Sequence, residues 1–231
     1  MGFVLVLIVR FPARWIGPLL PQGTQCQQLD GSAWNGACTG LTAGGANWGD
    51  LGWELHALQL LRGRLELNLD LANQAGYLRG SVAVGLGGAL HGRDVTLDFP
   101  LTSALVSALP AGAHAQLAGN LSRIEWNGRY VTQLLGELTL RDLVGAQGQA
   151  FGSYQVQFAP ASGDTPSGVV HDLGGPLALE ATLNLTRDPG YVVQGEVAAR
   201  PSASPAFADQ LKYLGSPDAN GRRPFSLSGT F

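Results

Sequence analysis

Between Leu65 and Leu71 every second residue is leucine, and the residues between are Glu66, Asn68 and Asp70. Only an extended strand, whose successive side chains point to opposite faces, sorts such a run into one apolar and one wet face. On a helix the same leucines would scatter around the cylinder. The period of two returns at Val82, Val84 and Leu86, at Val95, Leu97 and Phe99, and at Tyr154, Val156 and Phe158. It returns again in Leu177 to Leu185, in Tyr191 to Ala199, and at Phe225, Leu227 and Phe231. Strands wet on one face belong to antiparallel sheets. Composition agrees. Charged residues make up 13% of the chain, about half the usual share of ~25%, and glycine supplies 33 of 231 residues, about twice the usual ~7%.

Two short helices interrupt the strands. Leu101, Leu105, Val106 and Leu109 share a helical face that Pro110 ends. Ser204-Pro205 supplies an N-cap and a first-turn proline for Phe207, Leu211 and Leu214, which Gly215 stops. Pro160 to Gly168 reads as a loop.

The pattern apolar-x-Gly-x-apolar recurs at Gly63, Gly80, Gly88, Gly119, Gly136, Gly175, Gly195 and Gly229. Gly63, Gly119 and Gly175 lie 56 residues apart, and Gly80, Gly136 and Gly195 follow them by 17, 17 and 20. One strand pair repeated three times accounts for the spacing, against chance in a glycine-rich chain. A mid-strand glycine marks a bend, a bulge or close backbone approach. Repeated at one depth, it would let the sheet curl around an apolar interior. The expected fold is all-β: a curved, largely antiparallel open sheet with two short helices.

Cys26 and Cys38 flank Trp34-Asn35-Gly36, and Asn-Gly is a turn signal that could bring two short strands and their sulfurs together. A disulfide is expected, and with it an oxidising compartment. The alternative is two unrelated thiols. The apolar run Phe3 to Val9 would span about 10 Å as helix, against ~30 Å of bilayer hydrocarbon. It reads as the end of a truncated membrane anchor or as an ordinary buried strand. Residues 1–15 are therefore set apart as anchor and juxtamembrane segment, and 16–231 as one β domain with approximate 56-residue repeats.

The expected chemistry is none. His56, His91, His114 and His171 have no partner at metal-ligand spacing, and His171-Asp172 lacks a Gly-x-Ser-x-Gly nucleophile. No catalytic, cofactor-binding or metal-binding residues are expected. Net charge is −3 without a basic cluster, which argues against nucleic acid as a partner.

Four segments resemble one family. They are "RFPARWIGPLLP", "CQQLDGSAWNGAC", "DLGWELHALQLLRGRLELNLDL" and the closing "LGSPDANGRRPFSLSGTF". Together they are similar to protein N of the bacterial type II secretion system, and the resemblance runs nearly the whole length of the chain. It implies a single-pass inner-membrane protein with a β-rich periplasmic domain, and an apolar-lined sheet of the AsmA-like type. It also implies a non-enzymatic structural or adaptor role, with inner-membrane platform proteins or the outer-membrane secretin as partners. Two other readings stand beside it: a lipid- or hydrophobic-ligand-binding sheet, and an outer-membrane β-barrel. Candidate contacts are Trp15, Trp34, Trp48 and Trp53, since aromatics anchor interfaces. Ser226, Ser228 and Thr230 join them, as the outward residues of a last strand that reads either as a free edge or as covered by the first strands near Cys38.

Overall fold

The computed structural model describes residues 12–15, 23–56, 65–85, 87–103, 110–160, 163–188 and 190–230. They form a single 14-stranded antiparallel sheet. Its strands are β1 (Thr24–Gln25), β2 (Gln28–Gly31), β3 (Asn35–Ala43), β4 (Ala46–Leu55), β5 (Leu65–Ala72), β6 (Tyr77–Val84) and β7 (Leu90–Thr102). They continue as β8 (His114–Trp126), β9 (Val131–Val144), β10 (Ala150–Phe158), β11 (Ser167–Asp172), β12 (Leu177–Leu185), β13 (Gly190–Ala199) and β14 (Arg223–Thr230). From β3 onward each strand pairs with the next in sequence. At the start, β1 and β2 both pair with β3. This is the all-hairpin order that the alternating pattern predicts.

The register sorts the side chains as the leucine run requires. One face carries Leu69, Gly80, Leu97, Gly119, Leu138, Val156, Val170, Leu183, Val193 and Leu227, each at or diagonal to its neighbour across the ladder. The opposite face is polar and internally paired. Arg79 meets Asp70 at 3.0 Å, Arg141 meets Asp98 at 3.7 Å, and Arg222 meets Glu180 at 2.8 Å. Gln155 donates to Glu137 at 3.1 Å. These exposed pairs cost little to hydrate and are worth at most about 1 kcal/mol each. Burial of the apolar face supplies the stability, about 1.5–3 kcal/mol for each fully covered Val, Leu or Phe. Val95, Phe99, Leu121, Phe158, Leu177 and Val197 are among those covered.

The sheet curls. Leu117 of β8 and Leu227 of β14 line one cavity of about 480 Å³. Six strand spacings of ~4.8 Å would hold these two strands nearly 30 Å apart in a flat sheet. Bulges help the curl. The register slips beside Gly80 where β6 meets β7, and again where β8 meets β9 and β9 meets β10. Inner-face glycines remove the side chains that would collide. A Cβ on Gly195 would strike Glu180 O and Ala181, and one on Gly136 would strike Asn120 O. Gly80, Gly119, Gly136, Gly195 and Gly229 all sit within strands. Gly88 and Gly175 fall in turns, and Gly63 lies outside the described residues.

Of the two expected helices, the second is present as α1 (Pro205–Gln210), followed by a 3-10 turn at Leu211–Leu214. The hydroxyl of Ser204 accepts the Phe207 N–H at 3.3 Å, as the Ser-Pro start predicts. Phe207 then packs edge-on against Phe151, ring centres 5.2 Å apart. Where the first helix is expected, Leu101 and Thr102 instead end β7, and 104–109 lie outside the described residues. The run Phe3 to Val9 also lies outside them. Among the described residues no helix is long and apolar enough to cross a membrane. Ala13 is 1% exposed, and Pro12 bridges to Ser32, so this short segment packs on the β2 edge.

Candidate interaction surfaces

The sheet has two unlike edges. The first is short and broken. β1 and β2 have two and four residues, and Cys26 lies between them. Cys26 and Cys38 form a disulfide with Cα atoms 5.7 Å apart, and Cys38 is 1% exposed. The sequence places the turn at Asn35-Gly36. It lies slightly earlier, at Ser32 to Trp34, where the Ser32 hydroxyl accepts the Asn35 N–H at 3.1 Å.

The last edge is one unbroken strand. The N–H of Thr186 donates to Gly190 O at 3.0 Å, and that of Arg200 to Pro176 O at 2.8 Å. These bonds assign the even-numbered residues of β13 to β12. The odd-numbered ones then face β14, opposite Gly229, Leu227, Phe225 and Arg223. The backbone groups of Ser226, Ser228 and Thr230 therefore point away from β13, and no other described strand pairs with β14. All three side chains are exposed, and Leu227 between them is 55% exposed. β14 begins two residues before the expected Phe225, so it contains Pro224. That residue lacks an N–H on the same outward side.

The tryptophans have more interior tasks. Trp48 Nε1 donates to Ala43 O at 3.2 Å, and its ring meets Phe99 edge-on at 6.0 Å. Trp53 Nε1 donates to Ala33 O at 3.2 Å, and its ring covers Gly36. Trp34 is half-buried in the β2–β3 turn. Trp15 ends the short 3-10 segment Ala13–Trp15. Trp48 and Trp53 lie on β4, ten strands from β14 in the sheet order.

A polar cluster at the rim of the inner face escaped sequence reasoning. Asp172, at the end of β11, stands opposite Tyr154 of β10. Its side chain is 10% exposed, and Arg200 holds it at 2.6 Å. The N–H groups of Leu179 and Gly174 donate to it at 3.0 and 3.1 Å. Burial alone would raise its pKa. The hydrogen bonds from Arg200, Leu179 and Gly174 outweigh that and hold the carboxyl below the usual range. Arg200 also donates to Leu177 O at 2.8 Å. Burial, with the charge of Asp172 in support and that of Arg200 opposed, pushes Tyr154 up to about 12. Its hydroxyl donates to Phe151 O at 2.7 Å. The signal was available: Asp172 continues the apolar series of Gly168 and Val170, where a carboxylate needs a partner.

Each histidine stands apart from the others. His56 pairs with the Asn68 amide at 3.1 Å, His114 Nδ1 lies 3.2 Å from Gly112 O, and His91 and His171 are exposed. No group of three His, Cys, Asp or Glu that could hold a metal ion occurs among the described residues.

Comparison with known proteins adds the remaining observation. The family model described as type II secretion system (T2SS), protein N matches residues 22–226. A protein named type II secretion system protein N from Vibrio cholerae serotype O1 (strain ATCC 39315 / El Tor Inaba N16961) is 28% identical over 235 residues, covering 96% of this chain and 92% of the relative. A protein of the same name from Aeromonas hydrophila is 26% identical over 256 residues, covering 99% and 93%. No solved structure matches. A match running from before the disulfide into the last strand covers β1 to β13 and the start of β14, and the chain belongs to the protein N family of the type II secretion system.

Proposed function

We propose that the chain is a non-enzymatic structural or adaptor component of the type II secretion system. It is attached to the inner membrane with its sheet in the periplasm, and it docks another secretion component by adding a strand to β14. Family membership over residues 22–226 supports the system. The disulfide fits an oxidising compartment. The observation that carries the docking mode is the row of backbone groups at Ser226, Ser228 and Thr230, directed away from β13. Strand addition needs such a row, and natural edges usually carry a charge or an interruption to prevent it. Here β1 and β2 are interrupted, while β14 confines its charge and its proline to Arg223 and Pro224 and leaves Phe225 to Thr230 clear.

The partner class is the inner-membrane platform or the outer-membrane secretin. A photo-crosslinking residue placed at Ser228 of the membrane-attached protein, in secreting cells, tests the proposal. Capture of a platform protein or the secretin from Ser228, but not from Thr139 on β9, five strands in from that edge, is expected. Equal capture from both positions, or none from Ser228 in a stable protein, rejects the edge as the contact.

A further inference from the structure

We propose that the inner groove between β8 and β14 binds one single-chain anionic amphiphile, with its acyl chain along the sheet and its head group on Arg223. The proposal is independent of the docking mode above, because it concerns the inner face rather than the edge.

The groove is lined by side chains such as Leu117, Leu140, Val156, Leu183, Val193 and Phe225, and the hydroxyl of Tyr154 is turned to Phe151 O. Its volume, about 480 Å³, lies within the usual range of ligand sites, roughly 300–1,000 Å³. At about 30 Å³ for a unit the size of a water molecule, it holds about sixteen methylene-sized units, one long acyl chain and not two. Most of these residues are only half-buried, so the protein leaves apolar surface that a ligand would cover.

Charge selects the kind of amphiphile. Strand alternation puts Arg223 on the same face as Phe225 and Leu227, at the groove's end, whereas Arg222 is held on the outer face by Glu180. Among the described residues, Arg223 donates only to a neutral acceptor, Gly215 O. Asp172, three strands away in the sheet order, is already held by Arg200 at 2.6 Å and by two backbone N–H groups. One guanidinium without a carboxylate partner at one end of a greasy channel suits a carboxylate or phosphate head on a single chain.

The test titrates the purified full chain calorimetrically with laurate below its micelle concentration, with monolaurin as the uncharged control. One laurate per chain is expected, bound about tenfold more tightly than monolaurin, the scale of one charge-assisted hydrogen bond. Arg223→Gln should bring laurate down to the monolaurin affinity and leave monolaurin unchanged. Leu183→Trp should fill the channel and abolish both. Should that variant unfold on a thermal melt, Leu227→Trp at the exposed lip takes its place. A final arm floats the protein with phosphatidylglycerol vesicles, which separates a membrane surface from a free amphiphile. Absence of saturable laurate binding, equal affinity for both probes, an unaffected Arg223→Gln variant, or binding to vesicles alone would overturn the proposal.

Discussion

At the scale of single residues, the Asp172 cluster makes the sharpest stability prediction. Its carboxylate is buried, accepts from two backbone N–H groups, and is held by Arg200. Asp172→Asn keeps the shape but removes the charge, and should cost about 2 kcal/mol in a urea denaturation at pH 7. The pH dependence has a definite sign. Because the folded carboxyl titrates below its ordinary value of 3.8, its contribution is complete above pH ~4. It is lost as the pH falls through the lower folded value. The stability difference between wild type and Asp172→Asn should therefore shrink in acid. A difference that persists unchanged to pH 2 would mean the carboxylate charge is not what stabilises the rim. Tyr154 acts at the other end of the scale. Its folded pKa of about 12 gives a contribution that is present below pH ~10 and is lost as the pH rises toward 12. The cluster is not legible in the sequence because Asp172 follows His171 directly. Adjacent residues in a strand face opposite ways, so the pair that stood out in the sequence is separated by the sheet.

Among the elements, legibility followed regularity. β5, β7, β10, β12, β13 and β14 carry alternating runs legible in the sequence, and of β6 only Val82 and Val84 do. β8 and β9 are less legible, because β8 steps by three from Leu121 to Ile124 and β9 from Leu140 to Leu143, where the register shifts. A bulge adds a residue and so breaks the period on which the reading depends. β11 was hidden for another reason: with six residues it is too short to outweigh the turn-rich loop before it. The candidate contacts divide the same way. Ser226, Ser228 and Thr230 could be located because they lie in a clean strand, whereas the tryptophans could not be told from packing residues without the partners of Trp48 and Trp53. Three element-level outcomes follow. Replacing both Cys26 and Cys38 with serine should cost roughly 2–3 kcal/mol by loop entropy and loosen the β1–β2 edge, as chemical denaturation would register. Gly195→Val should cost upwards of about 2 kcal/mol, because a Cβ there meets Glu180 O and Ala181, and a mild effect would mean that the curl can relax. Ser228→Pro removes only an outward N–H, so the melting curve should stay within a few degrees of wild type while capture of the partner is lost. A variant that unfolds would show that this N–H is bonded within the protein.

For the whole molecule, one geometrical feature is central: among the described residues a single antiparallel sheet curls without closing. The sheet's apolar face is then open to a ligand, and its last strand is open to a partner. A closed barrel would have no such free edge, since its terminal strands would satisfy each other. The distinction can be measured at the backbone of β14, by residue-resolved amide hydrogen exchange on the isolated protein. In the open sheet, Phe225, Leu227 and Gly229 donate to or face β13 and should be protected. Ser226, Ser228 and Thr230 face outward and should exchange at rates close to those of an unstructured chain. Alternating slow and fast amides along this strand is the predicted result. Uniform protection of all six would mean that another strand lies against β14, and would contradict the open sheet.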